Sequence, residues 1–175
     1  MADKNAFESI RLKDIDKIKL RVEDNSDKLE SIIQNIVSPY VKDLDRYISF
    51  IKECLADGEQ PPTDSELDDW CLNLSTYIYF AGSMCEQLGI RDDISKAIYK
   101  ETYHSSRSNI DKGTVADKDS IAELNSQQEL LTNICYNRAF KIVKSKVENA
   151  QELLNSCKKV LSRRMNEYSL THFSN

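Results

Sequence analysis

The chain has 175 residues, the size of one ordinary domain, and 24 Lys and Arg against 29 Asp and Glu leave a net charge of −5. That total favours solubility and gives no support to tight nonspecific binding of DNA or of a membrane surface. With 40% hydrophobic residues but only 4 Gly and 3 Pro, the composition is globular, too poor in turn residues for an all-β sandwich and without a dinucleotide-binding glycine fingerprint. An all-α protein is what remains.

Charge is unevenly spread: −3 over residues 1–60, −5 over 61–90, 0 over 91–120 and +3 over 121–175. The acidic middle and the basic C-terminal third can meet different partners, or each other in an oligomer. Five cysteines without a CxxC spacing (Cys54, Cys71, Cys85, Cys135, Cys157) read as reduced thiols and core filler. No run of 18 apolar residues occurs, and Met1-Ala2-Asp3-Lys4 is too polar to open a signal peptide. The expected location is cytoplasmic, in the host cell if the gene belongs to a phage, with no membrane partner.

Residues 1–26 form an N-terminal arm in this reading. Ile18-Lys19-Leu20-Arg21-Val22 alternates with period two, which suits a short strand or an extended segment. Residues 27–175 form an elongated helical domain. A first helix, about 27–57, carries Leu29, Ile32, Ile33, Ile36, Tyr40, Leu44, Tyr47, Ile48, Ile51 and Leu55 on one stripe. Ser38-Pro39 predicts a break or kink within it, and Gly58 its end.

Thr63-Asp64-Ser65-Glu66 is a capping box, so a second helix starts there and runs to Leu88, closing at Gly89. A third helix fits residues 92–106, with Ile94, Ala97 and Ile98 on its apolar side. From Val115 to Asn175 there is no Gly and no Pro, and apolar positions predict one helix over about 115–168. Its stripe follows a heptad through Cys135, then steps by four to Ala139, a stutter. Such a helix is about 80 Å long and outruns a compact domain. Leu124, Leu131, Ala139, Val143, Ala150, Leu154 and Leu161 are therefore the expected homo-oligomer interface.

Nothing in the chain reads as catalytic. There is no GxSxG, no P-loop and no histidine pair at metal-ligand spacing, since His104 and His172 are the only two. No metal or other cofactor is expected. Asp68-Asp69 and Asp92-Asp93 read as helix-start charges favoured by the macrodipole.

One stripe points to a binding function. Lys96, Tyr99, Lys100, Tyr103 and Arg107 share a helical face roughly opposite Ile94 and Ile98. Cations neutralise phosphates, and exposed rings stack on bases without regard to sequence, a mix suited to single-stranded nucleic acid. Lys112 and Lys118, across the following loop, are secondary phosphate contacts. Arg138, Lys141, Lys144, Lys146, Lys158 and Lys159 read as a solvated face, while Arg163-Arg164 beside Tyr168 could extend such a track.

Lys100-Glu101-Thr102-Tyr103-His104-Ser105, a polar loop, and Thr114-Val115-Ala116-Asp117-Lys118-Asp119 together resemble phage recombination mediators of the UvsY type. The likeness covers roughly residues 64–168, with Tyr136 and Leu161-Ser162-Arg163 in comparable places. Ile98 stands where the family has a basic residue, and His104 and Ser106 where it has Tyr and Gly. The resemblance implies an oligomeric ring-former that binds single-stranded DNA and helps a RecA-like recombinase displace single-strand-binding protein. The competing expectation is a structural or adaptor helical oligomer, such as a phage assembly component, without nucleic-acid binding.

Overall fold

The computed structural model describes residues 4–57 and 61–173. These residues form four helices: α1 (Lys4–Asp57), α2 (Asp64–Ser108), α3 (Val115–Asn125) and α4 (Gln127–Phe173). The expected helix end at Gly58 lies outside the described residues. The protein is all-α, with a long C-terminal helix packed on the others.

The capping box at Thr63 closes, and a second forms at Thr114. The Thr63 N–H donates to Glu66 Oε2 at 2.7 Å, and the Glu66 N–H donates to Thr63 Oγ1 at 3.3 Å. Thr114 and Asp117 repeat this at the start of α3, at 3.0 and 3.2 Å. Two otherwise orphaned helix-start amides are satisfied at each site. Gly113, just before Thr114, sits at φ +127°, where a side chain would be strained and a Cβ would press on the Asp117 Cβ at 3.3 Å.

The α2–α4 pair forms the largest helix interface, and it runs antiparallel. Arg164 Nη1 donates to Pro62 O at 2.7 Å and to Asp64 Oδ1 at 2.8 Å, tying the end of α4 to the start of α2. Further along, Asn133 Nδ2 donates to Ser95 Oγ at 3.0 Å, and Asn137 Nδ2 to Asp92 Oδ2 at 2.9 Å. The C-terminal half of α1 fills the seam, parallel to α4, with the Lys146 ammonium 2.7 Å from Asp45. Two apolar clusters line this seam. Leu44, Ile51, Leu67, Trp70, Leu74, Ala81, Ala150, Leu154 and Cys157 make one. Val37, Tyr40, Val41, Cys85, Leu88, Ala139 and Val143 make the other.

Six sequence expectations need correction. Residues 4–26 are helical and continuous with α1, not an extended arm. Ile15, Ile18, Val22 and Leu29 recur at three, four and seven, a helical stripe that the local alternation of Ile18, Leu20 and Val22 disguised. The helix is also unbroken at Pro39. Ser38 and Pro39 face solvent while Val37, Tyr40 and Val41 are buried, so seam packing offsets the roughly 3 kcal/mol that an interior proline costs.

Gly89 does not end α2, which runs on to Ser108 and absorbs the expected third helix. Its role is close approach: an added Cβ would lie 3.2 Å from Phe140 Cε2 on α4. Asp92 is consequently an interior helix residue, acceptor to Asn133 and Asn137 rather than a helix-start charge. The expected unbroken helix over 115–168 is instead kinked at Ser126, which has φ −103° and is fully buried. Its hydroxyl donates to Ala122 O at 2.8 Å and shares that carbonyl with the Ser126 N–H at 3.0 Å, a back-bond of the kind that bends helices.

The last correction concerns the expected oligomer interface. Ala139, Val143, Ala150 and Leu154 are buried within this one chain, and Leu161 packs against the first cluster. An apolar stripe predicts burial, and here α1 and α2 supply it. Leu124 and Leu131 alone of the seven are exposed.

Gly82, also inside α2, has nothing within 4 Å of an added Cβ. Gly82→Ala should therefore raise stability by about 0.5–1 kcal/mol through helix propensity. Leu74→Ala, at a site with no exposed surface, should lower it by about 2–5 kcal/mol. Urea unfolding followed by circular dichroism reads both, and an equal effect of the two would contradict the packing described.

Candidate nucleic-acid interface

The last three turns of α2 carry the sequence-predicted stripe, and α3 folds back against them. Lys96 and Lys100 are exposed, with their ammonium groups in no ion pair among the described residues. Tyr99 and Tyr103 are half-buried, and their ring centroids lie 6.4 Å apart with a 47° tilt. Tyr103 also meets the His104 ring edge-on at 5.4 Å. The face is thus two free cations beside a pair of partly exposed rings.

Arg107 is engaged differently. Its Nε donates to Asp119 Oδ1 on α3, and the Tyr103 hydroxyl donates to the same oxygen at 3.2 Å. Asp119 gathers the two residues and neutralises the guanidinium, so Arg107 holds α3 in place more than it offers charge to a ligand. Desolvation foremost, then the Asp119 hydrogen bond and charge, raises the Tyr103 phenol above its ordinary pKa. Asn125 Nδ2 donates to Ser106 Oγ at 2.7 Å and pins the far end of α3.

Lys112 is exposed in the loop, and Lys118 is half-buried on α3. Over residues 96–119, five cations (Lys96, Lys100, Arg107, Lys112, Lys118) stand against four carboxylates (Glu101, Asp111, Asp117, Asp119). The local field is close to neutral, so affinity for phosphate at one such face is modest.

The α4 cations divide into two groups. Lys146 and Arg164 are committed to Asp45 and Asp64, and Arg163 pairs with Glu167 at 3.4 Å. Arg138, Lys141, Lys144, Lys158 and Lys159 remain exposed and in no ion pair among the described residues. Among the described residues no group of three His, Cys, Asp or Glu side chains could hold a metal ion. Burial raises the thiols of Cys71, Cys85, Cys135 and Cys157, which keeps them protonated and poorly reactive. No described helix is long and apolar enough to cross a membrane.

Sequence reasoning missed two features. Asp119 was legible only as part of a motif, because its partners lie 12 and 16 residues away on another helix. An aromatic surface at the α1–α2 boundary also went unnoticed: Tyr47 stacks obliquely on Phe50 and Tyr77 at 5.8 and 5.2 Å, with Tyr79 and Phe80 exposed alongside. The run Tyr77-Ile78-Tyr79-Phe80 has more large residues than one helical stripe can bury, and that is the signal that could have found it.

No family model, no curated protein and no solved structure matches this chain. The likeness to UvsY-type mediators therefore rests on its own short motifs.

Asp117 caps α3 and so positions Asp119. Hydrogen bonds from the backbone and the hydroxyl of Thr114 hold its carboxyl below the ordinary aspartate pKa. A lowered folded-state value stabilises the cap above the ordinary pKa of about 4 and is lost as pH falls through the folded value. The Thr114 amide resonance should accordingly titrate with a midpoint below that of a free aspartate. A midpoint at or above it would contradict the cap.

Proposed function

We propose that the chain acts by binding, without catalysis of its own, as a self-associating helical protein whose α2 C-terminal face takes single-stranded DNA. In that role it would serve as a recombination mediator, helping a RecA-like recombinase to displace single-strand-binding protein. The observation that carries this reading is the grouping of free Lys96 and Lys100 with the Tyr99–Tyr103 ring pair on one face. Rings beside cations suit unstacked bases better than a duplex, whose bases are closed to stacking. One nearly neutral face binds weakly, but a homo-oligomer repeats it along a single strand and raises the effective concentration of each site.

A second reading, a helical adaptor or scaffold without nucleic-acid binding, is favoured by Asp119. It neutralises Arg107, the one cation of the stripe with a rigid, bidentate head. The two readings separate on a fluorescent oligonucleotide titrated across a salt series.

The parent should bind single strands with a clear salt slope, and Lys96→Ala/Lys100→Ala should weaken binding and flatten that slope by about 0.7 per lost phosphate contact. Tyr99→Ala should cost about 1–3 kcal/mol per engaged base. Asp119→Asn should tighten binding by releasing the Arg107 charge. A double lysine variant that binds as tightly as the parent, or a parent that does not bind at low salt, would favour the adaptor.

A further inference from the structure

The stripe by which α1 enters the seam does not stop where the seam does. From Ile33 to Ile51 it is buried or half-buried between α2 and α4. In phase with it upstream are Leu29, Val22, Ile18 and Ile15, and of these Val22, Ile18 and Ile15 are about 60% exposed. From Ile15 to Val22, about two helical turns, α1 thus carries its apolar face uncovered.

The seam also runs on without its occupant. Because α1 is parallel to α4, the space vacated lies toward the C-terminal end of α2 and the start of α4. There α2 and α4 leave a groove of about 410 Å³, walled by Arg91, Ile94 and Ile98 on one side and Glu129, Thr132 and Tyr136 on the other. Ile94 and Ile98 are 54% and 49% exposed. Inside a chain this surface would be core, since it continues the cluster of Leu88, Cys85 and Ala139.

Charge points the same way. Glu129 Oε2 is buried in the groove wall and is the one such side-chain atom without a hydrogen-bond partner among the described residues. An unpaired buried carboxylate oxygen is costly and calls for a donor. On the uncovered stretch of α1, Arg21 lies beside Ile18 and Val22, and no described carboxylate pairs with it. Arg91, the other charged residue of the groove, lies over the Tyr40 ring at 5.9 Å, so a guanidinium on the bare helix complements the Glu129 carboxylate.

The geometry points to a second copy of this chain as the occupant: the Ile15–Leu29 stripe of one protomer lies in the α2–α4 groove of another, with Arg21 on Glu129. This rests on the self-association in the proposed function and names its contact. Arm and groove are different surfaces, so the contact closes as a reciprocal exchange or as a ring. It also replaces the interface expected along α4, whose central residues the chain already buries in itself.

Light scattering of the full chain, without nucleic acid, tests it. The parent should exceed the 20.1 kDa of one chain at tens of micromolar, the range in which modest interfaces still associate. Ile18→Asp/Val22→Asp and Ile94→Asp/Ile98→Asp should each reduce it to that mass with helicity intact by circular dichroism. Mixing the two variants should give a one-to-one pair, because one intact arm then meets one intact groove. Arg21→Glu and Glu129→Arg should each weaken association at least tenfold, and their combination should restore it.

A monomeric parent, or groove variants that associate like the parent, would overturn the proposal; the latter is the outcome if arms pair only with arms. Failure of DNA binding leaves these masses unchanged, so the two ideas fail separately.

Discussion

Everything else in this protein depends on the register of α2 against α4. Two long antiparallel helices can slide by a turn at little cost when only aliphatic residues separate them, because ridges refit grooves after each step. Here the register is pinned by polar groups placed far apart. Arg164 finds Pro62 O and Asp64 at one end, and Asn133 and Asn137 find Ser95 and Asp92 toward the other. A slip would part these half-buried donors and acceptors, at most about 1–3 kcal/mol for each one left without a partner or water. Small residues (Ala81, Gly89, Ala139, Ala150) bring the backbones close enough for these bonds to form.

That register sets the position of the candidate site. With α2 fixed, its last three turns pass the start of α4, and the kink at Ser126 lays α3 back on them. Asp119 then arrives between Tyr103 and Arg107. The same placement leaves Lys96 and Lys100 on the outer face and opens the groove at Ile94 and Ile98. The polar face and the apolar groove thus occupy different sides of the same helical segment, so the proposed assembly and the proposed ligand binding would not compete for surface.

Much of the fold was legible because its signals are local. The capping box at Thr63 needs only four consecutive residues, and the apolar stripes repeat within two turns, so the start of α2 and the all-α class followed directly. What escaped depends on neighbours distant in the chain. Gly89 reads as a stop until Phe140 is seen against it, and Pro39 as a break until Val37, Tyr40 and Val41 are seen buried around it. Ser126 gave no warning, since a serine bends a helix only when its hydroxyl turns back on the preceding turn. The stripe through Ala139, Val143, Ala150 and Leu154 announced burial correctly but could not say which chain provides it. Of the candidate site, the shared face of Lys96, Tyr99, Lys100 and Tyr103 was readable from spacing; the neutralisation of Arg107 by a carboxylate on another helix was not.

The central claim, that α2, α4 and the C-terminal half of α1 are one registered unit, is tested most directly by native-state hydrogen exchange. Amides over residues 67–95, 135–157 and 37–51 should show the same opening free energy, equal to that of global unfolding and equally sensitive to denaturant. If the α1 segment, or either half of the α2–α4 pair, exchanged at a distinctly lower free energy than the rest, the seam would not be the unit on which the fold depends.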